Sequence, residues 1–241
     1  RRWASAVVAA ALAAGALLLL GDSRRGQSSC SSDGPHPHQG VLTPFKRGKP
    51  ASIKVGAGEE EVLASGHPWF DVQRKGQIGF GKAVVDVAAP PDIVWGQLLD
   101  FANYPKKVPR VGTCEVYKKR KEGRTQRIYV RFVSPLLPGY SFQYYCDHTY
   151  EPRKNSLTWS LDYDKLSDFD DVQGHWHVEP HPMNKGWSRV FYEVQLMAPK
   201  YLPSIIVNLL TSKAIKDATT WVRTFSEKEA IKKGLDLAVA A

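Results

Sequence analysis

Between Val85 and Val111 the chain reads VDVAAPPDIVWGQLLDFANYPKKVPRV, an order of residues that few folds accommodate. Its opening residues predict the end of a strand. Pro90 and Pro91 have no backbone N–H to donate, which suits the first turn of a helix, where those donors find no partner anyway. Ile93, Val94, Trp95, Leu98 and Leu99 follow at helical spacing and predict a short amphipathic helix. Asp100-Phe101-Ala102-Asn103-Tyr104-Pro105 then breaks the spacing and opens a second helical turn rich in aromatics. The segment holds no catalytic motif. It is built for packing, and the rest of the chain has to supply what it packs around.

Residues 76–87, 115–121, 127–134, 140–150, 156–163, 170–179 and 189–197 read as strands. In RIYVRFVS, Ile128, Val130 and Phe132 fall on one face, with Arg127, Tyr129 and Arg131 on the other. Tyr140, Phe142, Tyr144 and Cys146 share a face, as do Gly174, Trp176 and Val178, and Val190, Tyr192, Val194 and Leu196. Such one-sided burial marks an antiparallel sheet with one wet face. Turn residues at Glu122-Gly123, Pro138-Gly139, Arg153-Lys154-Asn155 and Asn184-Lys185-Gly186 make it a meander. A long amphipathic helix follows from about Leu202 to Glu229, with Pro203 in its first turn. Its stripe is Val207, Leu210, Ala214, Ala218, Trp221 and Phe225. Sheet and helix each have one apolar face, so each has to cover the other.

The 241 residues therefore divide into a main domain over 61–230 and appendages. At the N-terminus an uncharged run from Trp3 to Gly21, within residues 1–25, is either a removed targeting segment or a retained signal anchor. Residues 26–60, rich in Gly, Ser and Pro, read as a disordered tether in which His36 and His38 are solvated, and residues 231–241 as a tail. Of the three cysteines, Cys114 and Cys146 read as buried small hydrophobes on strands, either free or joined in one disulfide.

The formal net charge is +9, and residues 61–241 retain +5, with 25 Lys/Arg against 20 Asp/Glu. Cations crowd between 106 and 131. Lys106, Lys107, Lys118, Lys119 and Lys121 stand there beside Arg110, Arg120, Arg124, Arg127 and Arg131, against Glu115 and Glu122. These are either solvated hairpin edges or a face that docks on anionic lipid headgroups. No basic stripe with interleaved aromatics follows a single element, so nucleic acid is not expected as a partner.

The order of elements, together with Ala89-Pro90-Pro91, Val94-Trp95, Asp100, Tyr104-Pro105, Pro109, Gly174-x-Trp176 and the helix opening LPSIIVN from Leu202, resembles the START-like (SRPBCC, Bet v 1-type) helix-grip superfamily. The nearest branch is polyketide cyclase/dehydrase and coenzyme Q-binding proteins, and the resemblance covers about residues 61–230. It implies an α+β fold in which a curved antiparallel sheet of seven strands wraps the long C-terminal helix around an apolar cavity. Two short helices follow the first strand. The expected cavity residues are Trp95, Phe132, Tyr140, Phe142, Tyr144, His148, Trp176, Tyr192, Leu210, Ala214 and Trp221.

The inner face offers Tyr140, Tyr144, His148 and Tyr192 as polar groups. His148 shares the parity of the apolar residues and is a candidate general base or polar anchor, and one or two of the tyrosines are candidate anchors beside it. His175 and His177 have the opposite parity and are expected on the outer face, without a third metal ligand at suitable spacing. No nucleophile elbow, phosphate loop or Cys-x-x-Cys is present, so no catalytic residue, metal or cofactor is assigned. The expected function is binding a hydrophobic small molecule, a lipid or isoprenoid quinone, for transport, presentation or buffering near a membrane. The alternatives are a cyclase- or dehydratase-like enzyme acting on an aromatic or polyketide substrate, and a non-catalytic membrane-docking module. Localisation would follow the N-terminal run, and oligomeric state is left open.

Overall fold

Every alternating stretch pairs with a neighbour, and the result is one antiparallel sheet of eight strands. In this computed structural model the described residues are 34–137, 140–202 and 204–235. The strands are β1 (Trp69–Lys75), β2 (Ile78–Val87), β3 (Thr113–Glu122), β4 (Thr125–Leu137), β5 (Tyr140–Glu151), β6 (Ser156–Leu161), β7 (Asp171–Pro180) and β8 (Ser188–Met197). They lie side by side in the order β1-β2-β8-β7-β6-β5-β4-β3. The helices are α1 (Ala57–Ala64), α2 (Pro91–Leu98), α3 (Tyr104–Lys107) and α4 (Ser204–Lys232). This is the helix-grip architecture that the sequence predicts, with one further strand. The addition, β1, lies at the sheet edge, where its burial does not alternate.

Pro90 caps α2 and Pro91 begins it, as a missing donor allows. Ile93, Val94, Trp95 and Leu98 are all buried there against the core. The long helix α4 crosses the inner face of β2 at Gly81. A Cβ at that glycine would come within 2.1 Å of Ile215 Cδ1, so the absent side chain is what lets helix and strand meet. A bulge at Tyr117 breaks the register of β3 against β4. Before it, Val116 opposes Val130 on the inner face. After it, Lys118 opposes Tyr129 on the outer face and Lys119 opposes Ile128.

The outer face is not wet throughout. Residues 34–56, expected as a disordered tether, run across it as a strap. The Leu42 N–H donates to Asp171 Oδ2 at 2.8 Å, the His36 N–H donates to the Tyr163 carbonyl at 2.8 Å, and the Ser52 hydroxyl donates to Glu193. His36 is buried rather than solvated. Ile53 and Leu63 of the strap and α1 pack on Val84 and Phe191 as a second apolar cluster. Arg189, buried on this face, binds Asp86 at 2.7 Å and Glu60 of α1 at 2.5 Å. That arginine draws the Glu60 carboxyl below its ordinary pKa. Cys114 and Cys146 are free thiols, and burial pushes the Cys114 thiol up to about 12. Among the described residues no helix is long and apolar enough to cross a membrane, and the N-terminal run lies outside them.

Candidate functional site

Between the inner face of the sheet and α4 lies a cavity of about 240 Å3. Its wall is built strand by strand: Phe132 and Ser134 from β4, Tyr144, Cys146 and His148 from β5, Leu157 and Trp159 from β6, Trp176 from β7, and Tyr192 from β8. Ala218 and Trp221 close it from α4, and Tyr104 of α3 and the loop Val108–Val111 rim its mouth. Aromatic rings line it in contact with one another. Phe132 stacks on Tyr144 with centroids 5.1 Å apart, Trp176 lies 4.2 Å from Tyr192, and Trp221 lies 5.2 Å from Tyr104. Such a surface receives flat or chain-like apolar groups.

The polar groups in this wall are few and electrically neutral. Burial raises the Tyr144 and Tyr192 phenols above their ordinary pKa, so both stay protonated. His148 is 5% exposed and ringed by Phe101, Phe132 and Trp159. Burial pushes its pKa down to about 3, so the imidazole is neutral at physiological pH. Its Nδ1 has no hydrogen-bond partner. A buried ring nitrogen left without a partner costs free energy that a ligand's polar group can recover. Among the described lining residues charge enters at the mouth, where Arg110 is ion-paired with Asp217 of α4. The pair ties the rim loop to the long helix. Arg110 holds a left-handed backbone, φ 62°, to reach it.

Of the residues expected from sequence to line the cavity, Phe132, Tyr144, His148, Trp176, Tyr192 and Trp221 do so. Trp95 does not. It is buried in the core with its ring 4.9 Å from Tyr150. Phe142 also lies outside, stacked 4.8 Å from Phe169. Helical spacing placed Trp95 toward the core and parity placed Phe142 on the inner face, but the cavity does not extend along the whole of that face. The side chains of Tyr140, Leu210 and Ala214 lie outside those described. The sequence reading missed Trp159 and Asp217. Trp159 shares the parity of Leu157 and Leu161, and Asp217 sits four residues before Trp221, so periodicity carried a signal for each.

The basic cluster needs larger corrections. Lys107 does not face outward: its ammonium binds Asp100 at 2.6 Å and Gln97 at 2.7 Å and is largely buried. Lys106, Lys118, Lys119 and Lys121 are exposed. Lys118 lies 4.6 Å above the Tyr129 ring. Lys118 to Lys121 cluster toward the β3–β4 turn, whereas the mouth lies at the other end of β3, about 20 Å away at roughly 3.3 Å per residue. They therefore do not rim it. His175 and His177, though on the outer face, are buried beneath the strap, with Phe45 stacked 6.2 Å from His175.

A curved antiparallel sheet gripping a long helix over an apolar cavity defines the helix-grip class of ligand-binding domain. Residues 82–216 match the family described as polyketide cyclase / dehydrase and lipid transport, and the chain belongs to that family. Solved structures agree on the fold. A START superfamily protein from Mycobacterium smegmatis superposes with a TM-score of 0.52 at 17% identity, covering 62% of this chain and 98% of that one. The Zhui aromatase/cyclase from Streptomyces sp. R1128 gives 0.51 at 13% identity, covering 67% and 98%. An 18 kDa protein from Caulobacter crescentus gives 0.51 at 15%, covering 64% and 98%. No curated protein matches the chain.

Proposed function

We propose that this domain binds a hydrophobic small molecule in the cavity under α4 and carries, presents or buffers it beside a membrane. The observation that carries the reading is the aromatic, nearly uncharged cavity with a mouth latched by one ion pair. Size narrows the ligand. At about 30 Å3 per water-sized group, 240 Å3 holds about eight non-hydrogen atoms. That is one ring or a short chain, not the two acyl chains of a phospholipid. An isoprenoid quinone or single-chain lipid fits if its ring or head enters and its tail leaves past Val108 and Val111. Tyr192, Tyr144 or the His148 Nδ1 would then meet its oxygen. The exposed Lys118, Lys119 and Lys121 supply charge toward an anionic surface, acting from the turn end of the sheet rather than from the mouth.

A second reading, cyclase- or dehydratase-like proton transfer at His148, draws on the same orphaned nitrogen. Basicity argues against it. General-base catalysis works best with a pKa near the operating pH, and a base of pKa about 3 has little driving force at neutrality. Native mass spectrometry after mild purification should show a bound apolar compound. An apolar fluorescent probe should bind the wild-type protein and fail to bind Ala218→Phe, which fills the cavity. Consistently empty protein that binds no probe would overturn the reading.

A further inference from the structure

A second chamber, of about 370 Å3, lies on the opposite side of the sheet between its outer face and the strap at Pro44–Arg47. Its floor is a grid of polar side chains fixed by strand register. One row runs Arg127, Thr149, Thr158 across β4, β5 and β6, and the next runs Asp147, Ser160, Gln173 across β5, β6 and β7. Neighbours within a row stand one strand apart, about 4.8 Å, and the rows about 7 Å apart. Phe45 of the strap supplies an aromatic wall facing this floor. It is held in place by stacking on His175, which is itself hydrogen-bonded to Ser156 at 3.0 Å and Glu193 at 3.3 Å.

Charge decides what class of ligand suits this floor. Arg127 is bonded to Asp147 and lies 3.9 Å from Glu122, and Arg47 is bonded to Glu151 at 3.4 Å, so an ionic ligand would have to break an existing pair to be held. The hydroxyls of Thr149 and Thr158 enter no hydrogen bond among the described residues and face the chamber. A neutral, polyhydroxylated ligand adds hydrogen bonds to these groups without disturbing the ion pairs, and can rest its C–H face on Phe45. We infer that this outer chamber is a binding site for an uncharged polyol of sugar-like size, separate from the apolar cavity.

Saturation-transfer NMR on the full chain tests it, with maltose as the probe and phosphate and glycine betaine as charged comparators. Maltose should bind saturably at millimolar concentration, and Thr149→Val and Thr158→Val should each weaken it about fivefold, the worth of one neutral hydrogen bond. Both variants should keep wild-type binding of an apolar fluorescent probe, which reports the inner cavity and an intact fold. No saturable binding of maltose would overturn the inference. So would capture of phosphate or betaine in its place, or maltose affinity unchanged in both variants that retain probe binding.

Discussion

Gly174→Ala adds a single methyl group to the inner face of β7, and the structure says where it would go. A Cβ at that position would lie 1.8 Å from Cζ2 and 2.0 Å from Cε2 of Trp159, the residue directly opposite in β6. Carbon atoms in contact sit about 3.5–4 Å apart, so the indole has to move. It has little room, because the His148 ring stacks 5.6 Å from it and Tyr192 lies 6.1 Å away. The open direction is the cavity itself. Overpacking of this kind costs about 1–3 kcal/mol. At 2 kcal/mol the melting temperature falls by roughly 4–8 °C for a domain of this size. A displaced indole also occupies space that a ligand would use, so apolar-probe affinity falls with stability. The decisive comparison is Trp159→Leu, which clears the space over Gly174. In that background the same alanine gains about 0.5–1 kcal/mol, since glycine is the poorer strand residue. Urea unfolding of the four proteins should give a coupling energy of about 1.5–4 kcal/mol. Equal effects of the alanine in both backgrounds, within about 0.5 kcal/mol, would refute the packing argument.

His148 titrates at about 3 in the folded protein and near 6.5 when unfolded, so the unfolded chain takes up the proton first as pH falls. Its contribution to stability is intact above pH 6.5 and is lost progressively from there down to about 3, amounting to about 2 kcal/mol by pH 5. His148→Gln should flatten the pH 7-to-5 stability slope by that amount. His177, also held down by burial, remains in both proteins, and identical slopes would contradict the assignment. At the mouth, Asp217→Asn removes the partner of Arg110. An ion pair about one-third exposed is worth at most about 1 kcal/mol, so stopped-flow release of an apolar probe should quicken by up to about fivefold. A wild-type release rate indifferent to both the substitution and added salt would show that the pair does not latch the mouth. Finally, Lys118→Glu, Lys119→Glu and Lys121→Glu together should abolish sedimentation with anionic liposomes while leaving probe binding unchanged. Undiminished sedimentation would remove the lysines from any docking role.

Period-two alternation made the sheet legible because each of its interior strands has a dry inner face. RIYVRFVS and the stretch ending in Tyr192-Glu193-Val194 announce their orientation residue by residue. Trp69–Lys75 does not alternate, since an edge strand is half-clothed on both sides, and it passed unnoticed. The strap was hidden for a different reason. Its anchors are single polar contacts with partners more than a hundred positions away, such as Leu42 with Asp171 and Ser52 with Glu193. No local pattern encodes these. Within the site, parity identified the face of Phe142 but not how far along β5 the cavity reaches. Lys107 looked exposed because nothing local shows that Asp100 and Gln97 turn back to receive its ammonium. The bulge at Tyr117 changes which lysines share a face, and a sequence holds no count of such insertions.

The strap has a practical consequence for anyone cutting this chain. Composition changes near residue 61, and the family match begins at 82, so either looks like a natural starting point for a shortened protein. A chain begun at 82 would lose β1, α1 and the strap together. Arg189 would then keep Asp86 but lose Glu60, and Phe191, His175 and Glu193 would meet solvent across an uncovered sheet. Such a fragment would present a broad sticky surface and an open strand edge at β2, the usual beginnings of insoluble aggregate. A shortened chain that keeps every one of these contacts therefore begins near Gly34, well upstream of the region that the family match covers.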